Sequence, residues 1–166
     1  MHPLFRHSVA ASLALCLVSP AQAAGRKQAV TVRFYVEVDA STADPFAIPV
    51  RVGIPVRHIF HESAASLSER QITGAHVYQN KNGEWAALFK LDPSGQITLS
   101  NLSSGSRGKS IVAYIGDAKI SRVLPNDILI DQPVSDGIIQ VRGLLPKEAL
   151  LIQSLFPPLK PVAPHR

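Results

Sequence analysis

The sequence predicts an α+β domain with a mainly antiparallel sheet and two helices packed on it. Apolar and polar residues alternate from Val30 to Val38, which is the pattern of a strand with one buried face. Two further strand-like segments flank Asn80 to Gly83, and a tight Asn-Gly connection joins antiparallel neighbours. A closing segment from Pro146 has its apolar residues at helical spacing.

The first part of the chain is predicted as a strand, an edge segment and a helical turn. Val30 to Val38 forms the first strand. Ile48 to Pro55 is extended, but its two prolines place it at a sheet edge or in irregular structure. His61 to Arg70 is rich in Ala, Ser, Glu and Leu, which favours a short helix or a helical turn.

The middle of the chain is predicted as a hairpin followed by a weak helix. Ala75 to Gln79 and Glu84 to Leu91 form the hairpin strands, and Asp92-Pro93 ends the second of them. Ser94 to Ser106 holds few good helix formers, so we expect a frayed or shortened helix there.

The last part is predicted as three strands and a helix. Lys109 to Ile115 pairs with Lys119 to Val123 across Gly116-Asp117, and Ile138 to Val141 adds a strand. Pro146 suits the first helical turn, and Glu148 suits its positive dipole. The residues that we expect to face the sheet are Ala149, Ile152, Leu155 and Phe156.

The first 23 residues are typical of a cleavable secretory signal peptide. A short basic start precedes an apolar run from Val9 to Val18, and Ala21-Gln22-Ala23 offers the cleavage site. The run has about ten residues, whereas a membrane-spanning helix needs roughly twenty. We therefore expect residues 1–23 to be removed, 24–157 to form the domain and 158–166 to be a disordered, Pro-rich basic tail. This predicts an exported periplasmic protein without a transmembrane segment.

Cysteine and charge restrict the function classes. Cys16 is the only cysteine and lies inside the predicted leader, so the exported chain would have no disulfide and no thiolate. The chain has 17 basic and 12 acidic residues, a net charge of +5, and the basic residues are scattered. Export argues against a nucleic-acid partner. A solvated surface is the simpler interpretation of the charge, and attraction to an anionic membrane surface or acidic polypeptide is the alternative.

Several segments of the chain resemble the SecD family. The main ones are Lys109 to Ile120, Val134 to Val141 with Gly143, and Glu148-Ala149 within the closing helix. The pattern extends to Val32 to Val36, Ile72 to Val77 and Ala87 to Asp92. The resemblance is to the first periplasmic domain of SecD, mainly its head region. It implies an α+β domain, with a helix at the segment matching Ser94 to Ser106, that contacts polypeptide emerging at the periplasmic face. The proton-coupled membrane part of that family has no counterpart in this sequence, so the resemblance implies the contact function without its energy source.

One cluster of residues could carry chemistry. His58 and His61 would share a helical face and could bind a metal, with the carboxylate of Glu62 or His76 as the third ligand. Their order matches neither usual zinc-protease motif. The segment Ser103 to Lys109 lacks the glycine spacing of a phosphate-binding loop. We therefore predict no catalytic, cofactor or metal site, with a small periplasmic metal-binding protein or hydrolase using His58, His61 and Glu62 as the alternative.

The aromatic residues around the hairpin allow two interpretations. Trp85 and Phe89 share a strand face, near Tyr78, and this face is either core or an exposed groove for an extended peptide. The sequence thus predicts a non-enzymatic, exported binding or accessory module. Its partner would be non-native or translocating polypeptide or another protein, contacted through a sheet edge or an apolar face.

Overall fold

The computed structural model describes residues 30–39, 45–117 and 120–159. The predicted signal peptide, Cys16 and residues 160–166 of the predicted tail lie outside the described residues. Two α-helices are described, α1 (Pro93–Gly105) and α2 (Pro146–Leu155). The described strands are β1 (Val30–Val38), β2 (Ile48–Val52), β3 (Arg57–His61), β4 (Leu67–Ser68), β5 (Ile72–Gln79), β6 (Trp85–Leu91), β7 (Ser110–Asp117), β8 (Ser121–Val123), β9 (Ile128–Leu129) and β10 (Ile138–Leu144).

The strands form two sheets, and every ladder between them is antiparallel. The larger sheet has the order β2-β3-β1-β7-β8, while β4 also pairs with β1 and β9 also pairs with β7. The smaller sheet has the order β10-β6-β5. With two helices beside these sheets, the predicted α+β class is confirmed.

The main core joins one face of each sheet. Alternate residues of β1 are buried, as the period of two predicts. Phe34 of β1 meets Phe89 of β6 edge to face, with ring centroids 6.1 Å apart. Leu99 of α1 and Ile152 of α2 are buried in the same cluster, so both helices pack on this core.

A smaller apolar cluster lies on the opposite face of β7. Ile111 and Ala113 belong to the main core, whereas Val112 between them contacts Val52 and Ile59. Because neighbouring strand residues point to opposite faces, β7 is covered on both sides. The β2–β3 hairpin therefore packs against the large sheet as well as extending its edge.

The prediction that Ser94 to Ser106 is frayed or shortened is wrong, because α1 spans 13 residues. Asp92 caps it by accepting a hydrogen bond from the Gly95 amide at 2.7 Å, and Pro93 occupies its first position. Leu99 anchors it in the core. Capping and burial thus outweigh the low helix propensity of its serines and threonine.

Two loops differ from the sequence-based expectations. Between His61 and Arg70, helical structure is limited to a short 3₁₀ turn at Glu69–Gln71, and Leu67–Ser68 pairs with β1 instead. In the confirmed β5–β6 hairpin, Gly83 has φ +79° and no other described residue of the loop has positive φ. The Asn-Gly pair therefore uses only its glycine in the left-handed region.

Candidate functional site

The edges of the two sheets are separated by a cleft. β9 pairs with β7 at one edge of the large sheet, and β10 is an edge strand of the small sheet. Residues of both strands line a cleft of about 280 Å³. An edge strand presents backbone amides and carbonyls that can pair with another chain. The cleft therefore combines a pairing edge with side chains that an added strand would contact.

The lining of the cleft is apolar at its base and polar around it. Buried residues at the base come from α1, β7, the segment after β9, and β10: Leu99, Ile111, Ile130 and Ile139. Exposed Arg142 and Gln140 project from β10. Leu129 of β9 also lines the cleft and is 60 % exposed. The cleft thus offers apolar contact with polar groups around it, as polypeptide-binding surfaces do.

Buried hydrogen bonds fix the segment between β9 and β10. The Val134 amide donates to the hydroxyl of Ser103 at 2.8 Å, and that hydroxyl donates to the Ser100 carbonyl at 3.1 Å. The Ile130 amide donates to the Lys109 carbonyl at 2.9 Å, which extends the β9 pairing. The wall of the cleft is therefore attached to both α1 and the start of β7.

A polar network fixes the other end of this wall. The buried Ser110 hydroxyl donates to Asp127 at 2.6 Å, and Arg57 donates to Ser110 at 2.9 Å and forms an ion pair with Asp127. Burial alone would raise the pKa of Asp127. The hydrogen bonds from Ser110 and Arg57, with the guanidinium charge, outweigh burial and hold that pKa below its ordinary value. The network links β3, β7 and the segment before β9.

The outer edge of β5 is covered by the chain itself. After α2 the chain runs parallel to β5, with a bridge between Ala75 and Pro158. The Ala75 amide donates to the Pro157 carbonyl at 2.9 Å, and the Leu159 amide donates to the Ala75 carbonyl at 3.3 Å. Pro158 and Leu159, the first residues of the predicted tail, therefore lie against the sheet. Of the two edges of the small sheet, the cleft lies beside the other one.

The structure separates the histidines that the sequence placed on one helical face. His58 and His61 lie on strand β3, where residues three apart point to opposite faces. His58 is exposed, whereas His61 is buried and contacts the Tyr114 hydroxyl through Nε2 at 2.8 Å and the Glu62 carbonyl through Nδ1 at 2.6 Å. The predicted helical arrangement of a metal site is therefore wrong. Among the residues that the structure describes, no three His, Cys, Asp or Glu side chains are placed to hold a metal ion.

His61 belongs to an aromatic cluster on the large sheet. Its ring centroid lies 4.6 Å from that of Tyr35 and 5.4 Å from that of Tyr114. Burial, with a smaller contribution from Tyr35, raises the pKa of Tyr114. The three rings pack against one another, which is typical of a structural cluster.

Sequence comparisons and structural comparisons give different results. No family model and no curated protein matches the sequence. A solved structure of SecDF, described as a membrane component that enhances protein export, matches with a TM-score of 0.50 and 14 % identity. The match covers 76 % of this chain and 61 % of that one. The fold is SecD-like. A crystal structure of SecDF in its super-membrane-facing form matches with a TM-score of 0.49 and 12 % identity. That match covers 77 % of this chain and 19 % of the SecDF chain.

The other residues that the sequence analysis singled out have structural roles. Phe89 is buried and Trp85 packs against the main core, so the aromatic face of the hairpin is core and the alternative of an exposed groove is wrong. Ser103 to Lys109 connects the end of α1 to β7. Sequence reasoning missed β9, because a strand of two residues shows no period. The apolar triplet Ile128-Leu129-Ile130 was the signal that could have revealed it.

Proposed function

We propose that this chain is a non-enzymatic accessory module of the cell envelope that contacts extended, non-native polypeptide. The observation that carries the proposal is the cleft between β9 and β10, an apolar surface beside an edge strand. An extended peptide can add to such an edge through its backbone while its side chains enter the cleft. Backbone pairing is tolerant of sequence, which suits a protein that meets many substrates.

The SecD-like fold supports the same proposal. The matching SecDF structure is that of a membrane component that enhances protein export. The match covers 61 % of the SecDF chain, so the role of the whole SecDF protein does not transfer to this chain. We propose polypeptide contact alone. No described helix is long and apolar enough to cross a membrane. Together with the leader predicted over residues 1–23, this leads us to propose that residues 24–157 act in the periplasm.

The position of the cleft favours an extended polypeptide as its occupant. The cleft measures about 280 Å³ and lies beside a sheet edge. A strand of polypeptide could occupy it with one or two side chains and continue beyond it in both directions.

Binding of a permanently unfolded protein tests the proposal. Reduced, carboxymethylated lactalbumin with a fluorescent label should bind the purified protein, as measured by anisotropy. Leu129→Glu should weaken binding by about tenfold or more, because a charge in the apolar lining loses water without gaining a partner. Leu150→Glu is the matched control, since Leu150 is 65 % exposed on α2 and does not line the cleft. Equal binding by the two variants, or none by the parent protein, would contradict the proposal.

A crosslinking experiment tests it in cells. A photo-crosslinking amino acid at position 129 should capture many secretory polypeptides in the envelope, identified by mass spectrometry. The same group at position 150 should capture few. Capture of a single protein from position 129 would instead indicate a dedicated partner and reject general polypeptide contact.

A further inference from the structure

The turn between β2 and β3 exposes two large apolar side chains. Ile54 is 86 % exposed and Val56 is 66 % exposed, with Pro55 between them. We call Gly53 to Val56 the hairpin tip. Burying two neighbouring side chains of this size in an apolar environment is favourable, which makes the turn a candidate contact surface.

The hairpin tip is held in place from below. The Gly53 amide donates to the Pro125 carbonyl at 2.7 Å, and Gly53 has φ +85°. Val52 and Ile59, on either side of the tip, are buried against the large sheet. Arg57 is attached to Asp127 by an ion pair. The tip is therefore an exposed projection on a fixed base.

One cationic side chain, that of Arg51, lies directly behind the tip. Arg51 and His58 are opposite each other in the β2–β3 ladder, and both are exposed. Neither takes part in an ion pair within the described part of the chain. Asp127 balances Arg57, but the chain as a whole carries a net charge of +5. The apolar tip is thus backed by the positive charge of Arg51.

We infer that the hairpin tip inserts into the interfacial region of an anionic lipid bilayer. Apolar side chains with basic residues beside them are the usual composition of interfacial membrane anchors. Each basic group near an anionic surface adds attraction, which is screened by salt. A projecting tip can enter a deformable interface, whereas a protein partner would have to supply a matching pocket. This inference does not rest on polypeptide binding at the cleft.

Vesicle sedimentation tests the inference. The probe is large vesicles of phosphatidylglycerol and phosphatidylcholine, and the N-terminus of the protein is first determined by mass spectrometry. The parent protein should bind these vesicles and should bind pure phosphatidylcholine less. The double substitution Ile54→Ser with Val56→Ser should lower the partition coefficient by about tenfold or more. The substitution Arg51→Gln should reduce binding at low salt and have little effect at high salt.

Matched controls keep the result interpretable. Ile97→Ser with Leu150→Ser removes two side chains of similar exposure, 64 % and 65 %, from the helices, and should leave vesicle binding unchanged. Urea denaturation checks that each variant is folded. Leu129→Glu should also bind vesicles normally. Loss of polypeptide binding at the cleft and loss of vesicle binding at the tip can therefore be distinguished. Equal loss in both double variants, or no binding by the parent protein to anionic vesicles, would overturn the inference.

Discussion

Each buried polar side chain of the described residues holds one part of the fold to another. Ser103 binds the wall of the cleft to α1, and Ser110 binds the segment before β9 to β7. Glu148 accepts a hydrogen bond from the Leu145 amide at 2.8 Å and forms an ion pair with Arg122. His61 contacts Tyr114. Such groups stabilise a structure only when their hydrogen bonds are complete, and none of the described buried polar side-chain atoms lacks a partner.

Replacing the two histidines of β3 should therefore have very different effects on the free energy of unfolding. His61→Ala leaves a cavity and removes the partner of the Tyr114 hydroxyl, so it should lower the free energy of unfolding by about 2–4 kcal/mol. His58→Ala alters an exposed side chain and should change that free energy by no more than about 0.5 kcal/mol. Urea denaturation measures both values. A result in which His61→Ala has no effect on stability would contradict the structural role that we assign to it.

The sequence identified these histidines and misjudged their geometry. Their spacing of three suggests one face on a helix and opposite faces on a strand. Strand β3 has five residues and no long alternating pattern, and Pro55 lies just before it, so its strand character came from pairing with β1 and β2. Such pairing depends on residues distant in sequence, which local patterns do not contain.

Helix α1 depends on its N-terminal cap more than on its amino-acid composition. Asp92→Ala removes the acceptor for the Gly95 amide and should cost about 1 kcal/mol of stability. Ser104→Ala is a suitable control, because that exposed hydroxyl bonds only to the Ser100 carbonyl of the same helix and Ala is the better helix former. The control should be neutral or slightly stabilising in urea denaturation. Equal destabilisation by both changes would mean that the cap is not what maintains α1.

Elements with a strong local pattern were predictable, and those that depend on tertiary contacts were not. β1, the β5–β6 hairpin and α2 were all expected from alternation, turn chemistry and helical spacing. β4 and β9 have two residues each, which is too short for a period to be visible. The cleft is formed by β9 and β10 meeting from different sheets, so the sequence indicated a sheet edge as the contact surface without indicating which edge.

One edge of the small sheet is covered by the chain itself, and among the described residues the other is not covered in this way. The edge of β5 carries residues Pro157 to Leu159, whereas β10 borders the cleft. Gly74 allows this close approach, since a Cβ there would lie 3.0 Å from the Pro157 carbonyl oxygen and 3.1 Å from Leu159. An uncovered edge strand promotes association between copies of a protein. Covering β5 therefore leaves the cleft as the place where the small sheet can accept another strand.

Ending the chain at Phe156 should expose the β5 edge. The shortened protein loses two backbone hydrogen bonds, each worth about 1 kcal/mol, so it should be less stable and should associate at concentrations where the full chain does not. Size-exclusion chromatography with light scattering measures the association, and urea denaturation measures the stability. Ending the chain at Leu159 is the control, because it removes residues 160–166 and keeps the bridge to Ala75. If both shortened proteins associated equally, the association would come from loss of the basic tail, and the cover over β5 would have no protective role.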